Sequence, residues 1–152
     1  MCGRYTLKKT KNELEKQFNI VYSSIKVQQR FNIAPTQIVP TVIETGKGNE
    51  LHGYRWGLIP HWAKDKSIGN KLINARAETV HEKPSFRKSF KTQRCLIPAD
   101  GFIEWKKQGK EKYPHYISLK SDAVFAFAGI WAEWRMEEEV IRSCCIITTE
   151  AN

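Results

Sequence analysis

Cys2 occupies the second position of the chain, directly after the initiator methionine. Methionine is usually trimmed before small residues, and trimming here makes Cys2 the amino terminus. Such a residue carries a free amine and a thiol on adjacent carbons, a pair that no internal cysteine has. The reference pKa is about 7.7–8.0 for an α-amino group and about 8.5 for a thiol, so each has a nucleophilic fraction near neutral pH. An aldehyde meeting that pair forms an imine and then closes to a five-membered thiazolidine. The alternative is a small buried cysteine that starts a strand.

Other residues could assist such chemistry. Gly101-Phe102-Ile103-Glu104-Trp105 puts a carboxylate inside an apolar strand, with Phe102 and Glu104 on one face and Ile103 and Trp105 on the other. An acid on an aromatic-lined face suits general acid or base work; the alternative is an edge-strand glutamate facing solvent. Asn74, next but one to Arg76, offers an amide donor and acceptor that could orient an imine or a sugar hydroxyl, or it is a turn or cap residue. Arg4, Arg76, Arg87 and Arg94 could clamp phosphates, and Trp62 could stack on a base or belong to the core. His52, His61, His81 and His115 have no metal-ligand spacing, and no metal or cofactor is implied.

The elements that must hold these residues follow from the rest of the chain. At 152 residues, 41% hydrophobic, with five Trp, five Tyr and seven Phe, it reads as one folded domain. A net charge of +9 favours a polyanionic partner, nucleic acid first and an anionic membrane surface second. No apolar run is long enough to span a bilayer and no secretory signal is present. The four cysteines form no C-x-x-C pair, so a reducing, cytoplasmic setting is expected.

Arg4 to Leu7 reads as extended, and Thr10-Lys11-Asn12-Glu13 as a capping box opening a helix with Leu14 and Phe18 on one face. Asn32 to Thr36 reads as a turn or loop. Ile38 to Thr45 and Glu50 to Trp56 read as a hairpin, with Pro40 at an edge or a bulge. Ile73 to Glu78 leads into a short helix ended by Pro84, and Ser85 caps another carrying Phe86 and Phe90. Strands are expected at Arg94 to Pro98, Gly101 to Lys106, Tyr113 to Leu119, Ala123 to Trp134 and Val140 to Thr148. Adjacent Cys144 and Cys145 should point to opposite faces of the last strand. The result is an α+β fold on a strongly curved, antiparallel-rich sheet. Ile146 to Asn152 stops just after an apolar strand, so a truncated chain is expected.

The motifs together resemble one family. Met1 to Tyr5, Phe31-Asn32-Ile33-Ala34-Pro35-Thr36, Trp56-Gly57-Leu58-Ile59-Pro60, Asn74-Ala75-Arg76-Ala77-Glu78-Thr79, Arg94 to Phe102, Glu104-Trp105 and Phe127-Ala128-Gly129-Ile130-Trp131 resemble the SRAP (SOS response-associated peptidase) domain, collinearly over essentially the whole chain. The resemblance implies an open β-barrel-like core with short flanking helices. It also implies covalent capture of abasic sites in single-stranded DNA as a thiazolidine, with lyase activity and self-removal of Met1. Carried over, Cys2 is the nucleophile, Asn74 holds the sugar and the cysteine amine, and Glu104 shuttles protons. Arg4 and Arg76 bind phosphate, Thr148 lies near the abasic sugar, and Trp62 parts the strands. Ala63 stands where some members carry a second aromatic.

The family histidine falls beyond the segment matching Thr148 to Asn152, together with a final core strand. Their absence is expected to leave an unpaired edge, lower stability and permit strand exchange between copies. The resemblance places the protein in the cytoplasm, on damaged nucleoid DNA. Two other readings remain: a cysteine peptidase, for which no histidine partner of Cys2 can be named, and a non-covalent single-strand or modified-base reader resting on charge and aromatics.

Overall fold

The computed structural model describes residues 1–150. In chain order the elements are β1 (Tyr5–Leu7), α1 (Lys11–Phe18), β2 (Ile20–Ser23), β3 (Arg30–Ile33), β4 (Ile38–Thr45) and β5 (Gly48–Trp56). A 3-10 turn (Lys66–Asn70), β6 (Asn74–Arg76), α2 (Arg87–Thr92) and β7 (Arg94–Ala99) come next. The chain then runs through β8 (Gly101–Gln108), β9 (Glu111–Ile117), β10 (Phe125–Met136) and β11 (Glu139–Thr148).

The curved sheet closes on itself. β5, β4, β7, β10 and β11 pair antiparallel in that order, and β11 then pairs parallel with β5 through Ser143–Arg55 and Cys144–Trp56. The core is thus a closed five-stranded mixed barrel. Further along the same edge of β11, β6 adds parallel through Ile146–Asn74 and Thr148–Arg76. A second sheet, β3-β1-β8-β9, lays the amino-terminal strand between β3 and β8. Tyr5, Phe102, Trp56 and Phe127 join the two sheets: Tyr5 meets Trp56 at 5.2 Å and Phe127 at 5.6 Å, edge to face, and Phe102 meets Phe127 at 5.7 Å. Each such pair contributes about 0.5–1.5 kcal/mol beyond its buried area. Cys144 faces this cluster and Cys145 the apolar group around Leu58 and Ile130, opposite faces as alternation requires.

Asp100, between β7 and β8, is fully buried and fixes β1. Its Oδ1 accepts from Thr6 Oγ1 at 2.6 Å and its Oδ2 from the Lys8 amide at 2.6 Å, while its own N–H donates to the Thr6 carbonyl at 3.0 Å. Asp100→Ala removes two charge-assisted acceptors from buried donors, and a loss of about 3 kcal/mol is expected in a urea melt. A Cβ at Gly101 beside it would overlap the Tyr116 ring, so a larger residue there needs that half-exposed side chain to move.

Thr10 caps α1 as expected, its hydroxyl accepting from the Glu13 amide at 3.2 Å, and Leu14 is buried. Other expectations are corrected. Asn32 and Ile33 belong to β3, a strand made by pairing with β1 and not by its own pattern, since Phe31 is exposed and Ile33 buried. The helix expected before Pro84 is a run of turns: Thr79 and Val80 both donate to the Arg76 carbonyl, and Glu82 and Lys83 to that of Thr79. So short a stretch does not outweigh the nucleation cost of a helix. Ser85 is not the cap of α2; Phe86 holds that position without a side-chain bond. Pro40 sits in a barrel strand, but β4 meets β7 only at Val42–Leu96, so near Pro40 the strand behaves as an edge. Of the expected chain end, Ala151 and Asn152 lie outside the described residues.

Candidate active site at the amino terminus

Cys2 lies just before β1, and the register that places β1 between β3 and β8 carries it to the ends of β6 and β11. Asn74 Nδ2 donates to the Cys2 carbonyl at 3.0 Å. The Met1 ammonium stands 3.5 Å from Glu104 Oε1, on β8. Met1, Arg76, Thr148, Thr149 and Glu150 line a cleft of about 240 Å³. Parallel pairing of β6 with β11 sets Arg76 beside Thr148. Chain terminus, amide, acid, cation and cleft therefore meet at one place although their residues span most of the sequence.

The thiol is buried, and desolvation is the first cause that pushes Cys2 up to about 11, partly opposed by a backbone hydrogen bond with Arg4; as S–H, the Sγ donates to the Arg4 carbonyl at 3.7 Å. With Met1 in place and near neutral pH the sulfur is therefore held as S–H. Iodoacetamide at pH 8 is expected to modify Cys2 about a hundredfold more slowly than an unburied cysteine, with the rate climbing as pH approaches 11. Peptide mass spectrometry across a pH series reads this directly.

Asn74 Oδ1 is buried and has no partner. A buried amide oxygen without a donor is costly, and its position beside the chain terminus gives it the capacity to accept one N–H or O–H. Arg76 is exposed and held by carboxylates: its Nη2 lies 3.3 Å from Glu150 Oε1 and its Nε 3.7 Å from Glu78 Oε2. A hydrogen bond from its own backbone amide, then one from Thr149 Oγ1 (2.9 Å), holds the Glu78 carboxyl below its usual range. Sequence reading missed Glu78, Thr149 and Glu150, which nothing in their spacing ties to Cys2.

Arg4 is near the site, its Nη1 donating to the Gly3 carbonyl at 2.8 Å. Trp62 is not drawn into the cleft. It is 48% exposed and donates to the Pro84 carbonyl at 3.2 Å, so it is no core residue and its ring face is free for stacking. Ala63 after it is buried against Trp134, whose Nε1 donates to the Ala63 carbonyl. Arg94 lies over the Phe90 ring, 4.4 Å from its centroid, away from the cleft. No group of His, Cys, Asp and Glu among the described residues could hold a metal ion.

Known proteins resemble this chain in sequence and in fold. The abasic site processing protein YoqW of Bacillus subtilis is 49% identical over 156 residues, covering 100% of this chain and 70% of YoqW. YoaM of the same organism, also described as an abasic site processing protein, is 47% identical with 100% of this chain and 69% of YoaM covered. The crystal structure of a Bacteroides thetaiotaomicron protein superposes with a TM-score of 0.88 at 27% identity, over 99% of this chain and 69% of that one. The family described as SOS response associated peptidase (SRAP) matches residues 1–152. The motifs around Cys2, Asn74 and Glu104 thus mark a real kinship, and the chain belongs to the SRAP family.

Proposed function

We propose that this protein processes abasic sites in single-stranded DNA by forming a covalent thiazolidine between Cys2, freed of Met1, and the ring-opened sugar aldehyde. One observation carries the reading: the chain amine lies 3.5 Å from Glu104 while Asn74 grips the Cys2 carbonyl at 3.0 Å. With Met1 in place the Cys2 nitrogen is a peptide amide and cannot add to a carbonyl. Loss of Met1 leaves the new amine close to the same carboxylate.

Each step then has a residue. The Cys2 amine adds to the aldehyde carbon to give a carbinolamine. Glu104 protonates its hydroxyl, water leaves, and an imine results. The Cys2 thiol adds to the imine carbon and its proton passes to nitrogen, closing the ring; aldehyde and aminothiol become thiazolidine and one water. Asn74 Oδ1 accepts from the sugar or the amine and holds the reacting atoms together. Arg76 and Arg4 take flanking phosphates, Thr148 borders the sugar, and Trp62 offers a stacking face to a neighbouring base. The imine is also the species from which β-elimination would cut the strand, which gives the lyase reading its route. Self-removal of Met1 would occur at the same carboxylate.

The family description and the names of the relatives support abasic sites as the substrate. A net charge of +9 supports the DNA partner. No helix among the described residues is long and apolar enough to cross a membrane, and we place the activity in the cytoplasm as a single-domain reaction. The test is a denaturing gel of protein lacking Met1, verified by mass spectrometry, with an oligonucleotide bearing one abasic site. A shifted band that survives heat supports the reading; its absence removes it. Arg76→Ala is expected to weaken binding to intact and abasic strands alike and to lower the salt-dependence slope by about one counterion, measured by anisotropy titration.

A further inference from the structure

Another constellation lies at the far end of the barrel. Glu50 and His52, two residues apart on β5, share a face. His52 Nε2 is 2.9 Å from Glu50 Oε1, and His52 Nδ1 is 2.7 Å from Ser24 Oγ. The proton positions follow from what each group can do. An ionised carboxylate only accepts, so Nε2 donates to Glu50, which leaves Nδ1 to accept the Ser24 O–H.

The three side chains are held in place. Thr45 Oγ1 donates to the second Glu50 oxygen at 3.1 Å, and the bond with His52, the largest cause, holds the Glu50 carboxyl below its usual range. The imidazole stacks on Tyr54 (6.2 Å, 29°) with Tyr22 6.0 Å away. The Ser24 amide donates to the Leu51 carbonyl at 3.0 Å, while the Ser24 side chain stays exposed. Beside it opens a cleft of about 400 Å³ whose walls include Ile25, Ile38, Tyr54 and Arg142. Arg142 spends one Nη2 contact on Glu133 at 3.0 Å, which leaves other guanidinium donors free. Arg142 and Thr148 stand near opposite ends of β11, about 20 Å apart at strand rise, so this cleft is separate from that of Cys2.

We propose that Ser24, His52 and Glu50 form a second, serine-dependent site that hydrolyses small carboxylic esters with short aliphatic acyl groups. Ile25 and Ile38 receive the acyl chain, and Arg142 faces the carbonyl oxygen as it gains charge. Ser24 Oγ bonds to the acyl carbon as its proton passes to His52 Nδ1. The ester C–O bond breaks, and the alcohol leaves with that proton. Water then attacks the acyl-serine, its proton passing through His52 back to Ser24 Oγ as the carboxylic acid departs. Glu50 orients the ring and stabilises its cationic form.

The constellation is independent of the abasic-site reading, and its test is run on the full chain carrying Cys2→Ala, so that no terminal thiol meets the ester. A fluorophosphonate probe is expected to lose fluoride and label Ser24, located by peptide mass spectrometry. Hydrolysis of p-nitrophenyl butyrate is expected to fall at least about tenfold on adding Ser24→Ala, and several-fold on adding Glu50→Gln. A hydrogen-bonded tie that merely pins β2 to β5 would keep these contacts and take no label. Absence of label, label on another residue, or an unchanged rate after Ser24→Ala overturns the proposal. The labelling arm needs no change at Ser24, so a misfolded variant cannot mask the answer.

Discussion

Cys2→Ala is expected to abolish the heat-stable protein–DNA band completely. The variant retains a terminal amine, so it can still form an imine, but an imine alone hydrolyses on denaturation. Borohydride should therefore trap a band for Cys2→Ala that is absent without the reductant. Cys2→Ser is expected to behave nearly the same, since a hydroxyl closes the ring far less favourably than a thiol. A protein that keeps Met1 should give neither band with Cys2 as the linked residue, its nitrogen being an amide. A heat-stable band from Cys2→Ala without reductant would show that another nucleophile carries the reaction.

Glu104→Gln is expected to slow single-turnover crosslinking by about a hundredfold while leaving DNA affinity nearly unchanged. The amide keeps the size and polarity of the acid but cannot deliver the proton that expels water from the carbinolamine. General acid catalysis contributes about 10²–10⁴ in rate, and solvent water replaces part of it at a carboxylate as exposed as this one. In the form that keeps Met1 the variant also loses the ion pair at 3.5 Å between Glu104 and the Met1 amine, a contact absent from the reacting form. Quenched time courses separate this from a folding effect, because a destabilised protein loses amplitude and not rate. An undiminished rate would remove Glu104 from the mechanism.

Much of the fold was legible because its strands carry their own signals. The apolar, β-branched and aromatic runs of β4, β5, β7, β10 and β11 between turn residues mark the barrel strands, and Thr10 and Leu14 mark α1. β3 and β6 were not legible as strands: β6 has three residues and exists through its parallel pairing with β11. Closure of the barrel was equally hidden, since it depends on Ser143 and Cys144 meeting Arg55 and Trp56 across almost ninety positions. At the site, Cys2 stood out by position, and Asn74 and Glu104 were candidates by residue type and by resemblance; the structure puts Asn74 on the Cys2 carbonyl and Glu104 beside the chain amine. The role of Asp100 lay in three-dimensional contacts with Thr6 and Lys8 that no local pattern shows. His52 lacked ligand spacing and drew no attention, because its partner Ser24 comes from a different strand end.

The long reach of the terminal strands also sets an order of events during synthesis. Arg4 leaves the ribosome early, but its neighbourhood needs Asn74, Gly101 and finally Thr148, whose strand pairs with β6. At about 5–20 residues per second, roughly 7–30 s pass between the first and the last of these. Until then the amino terminus lacks the partners that hold it in the finished fold. Folding then treats the first two residues differently: Met1 stays 85% exposed in the finished structure, whereas Cys2 is buried among residues drawn from strands that are made last, Cys144 and Ile146 of β11 included.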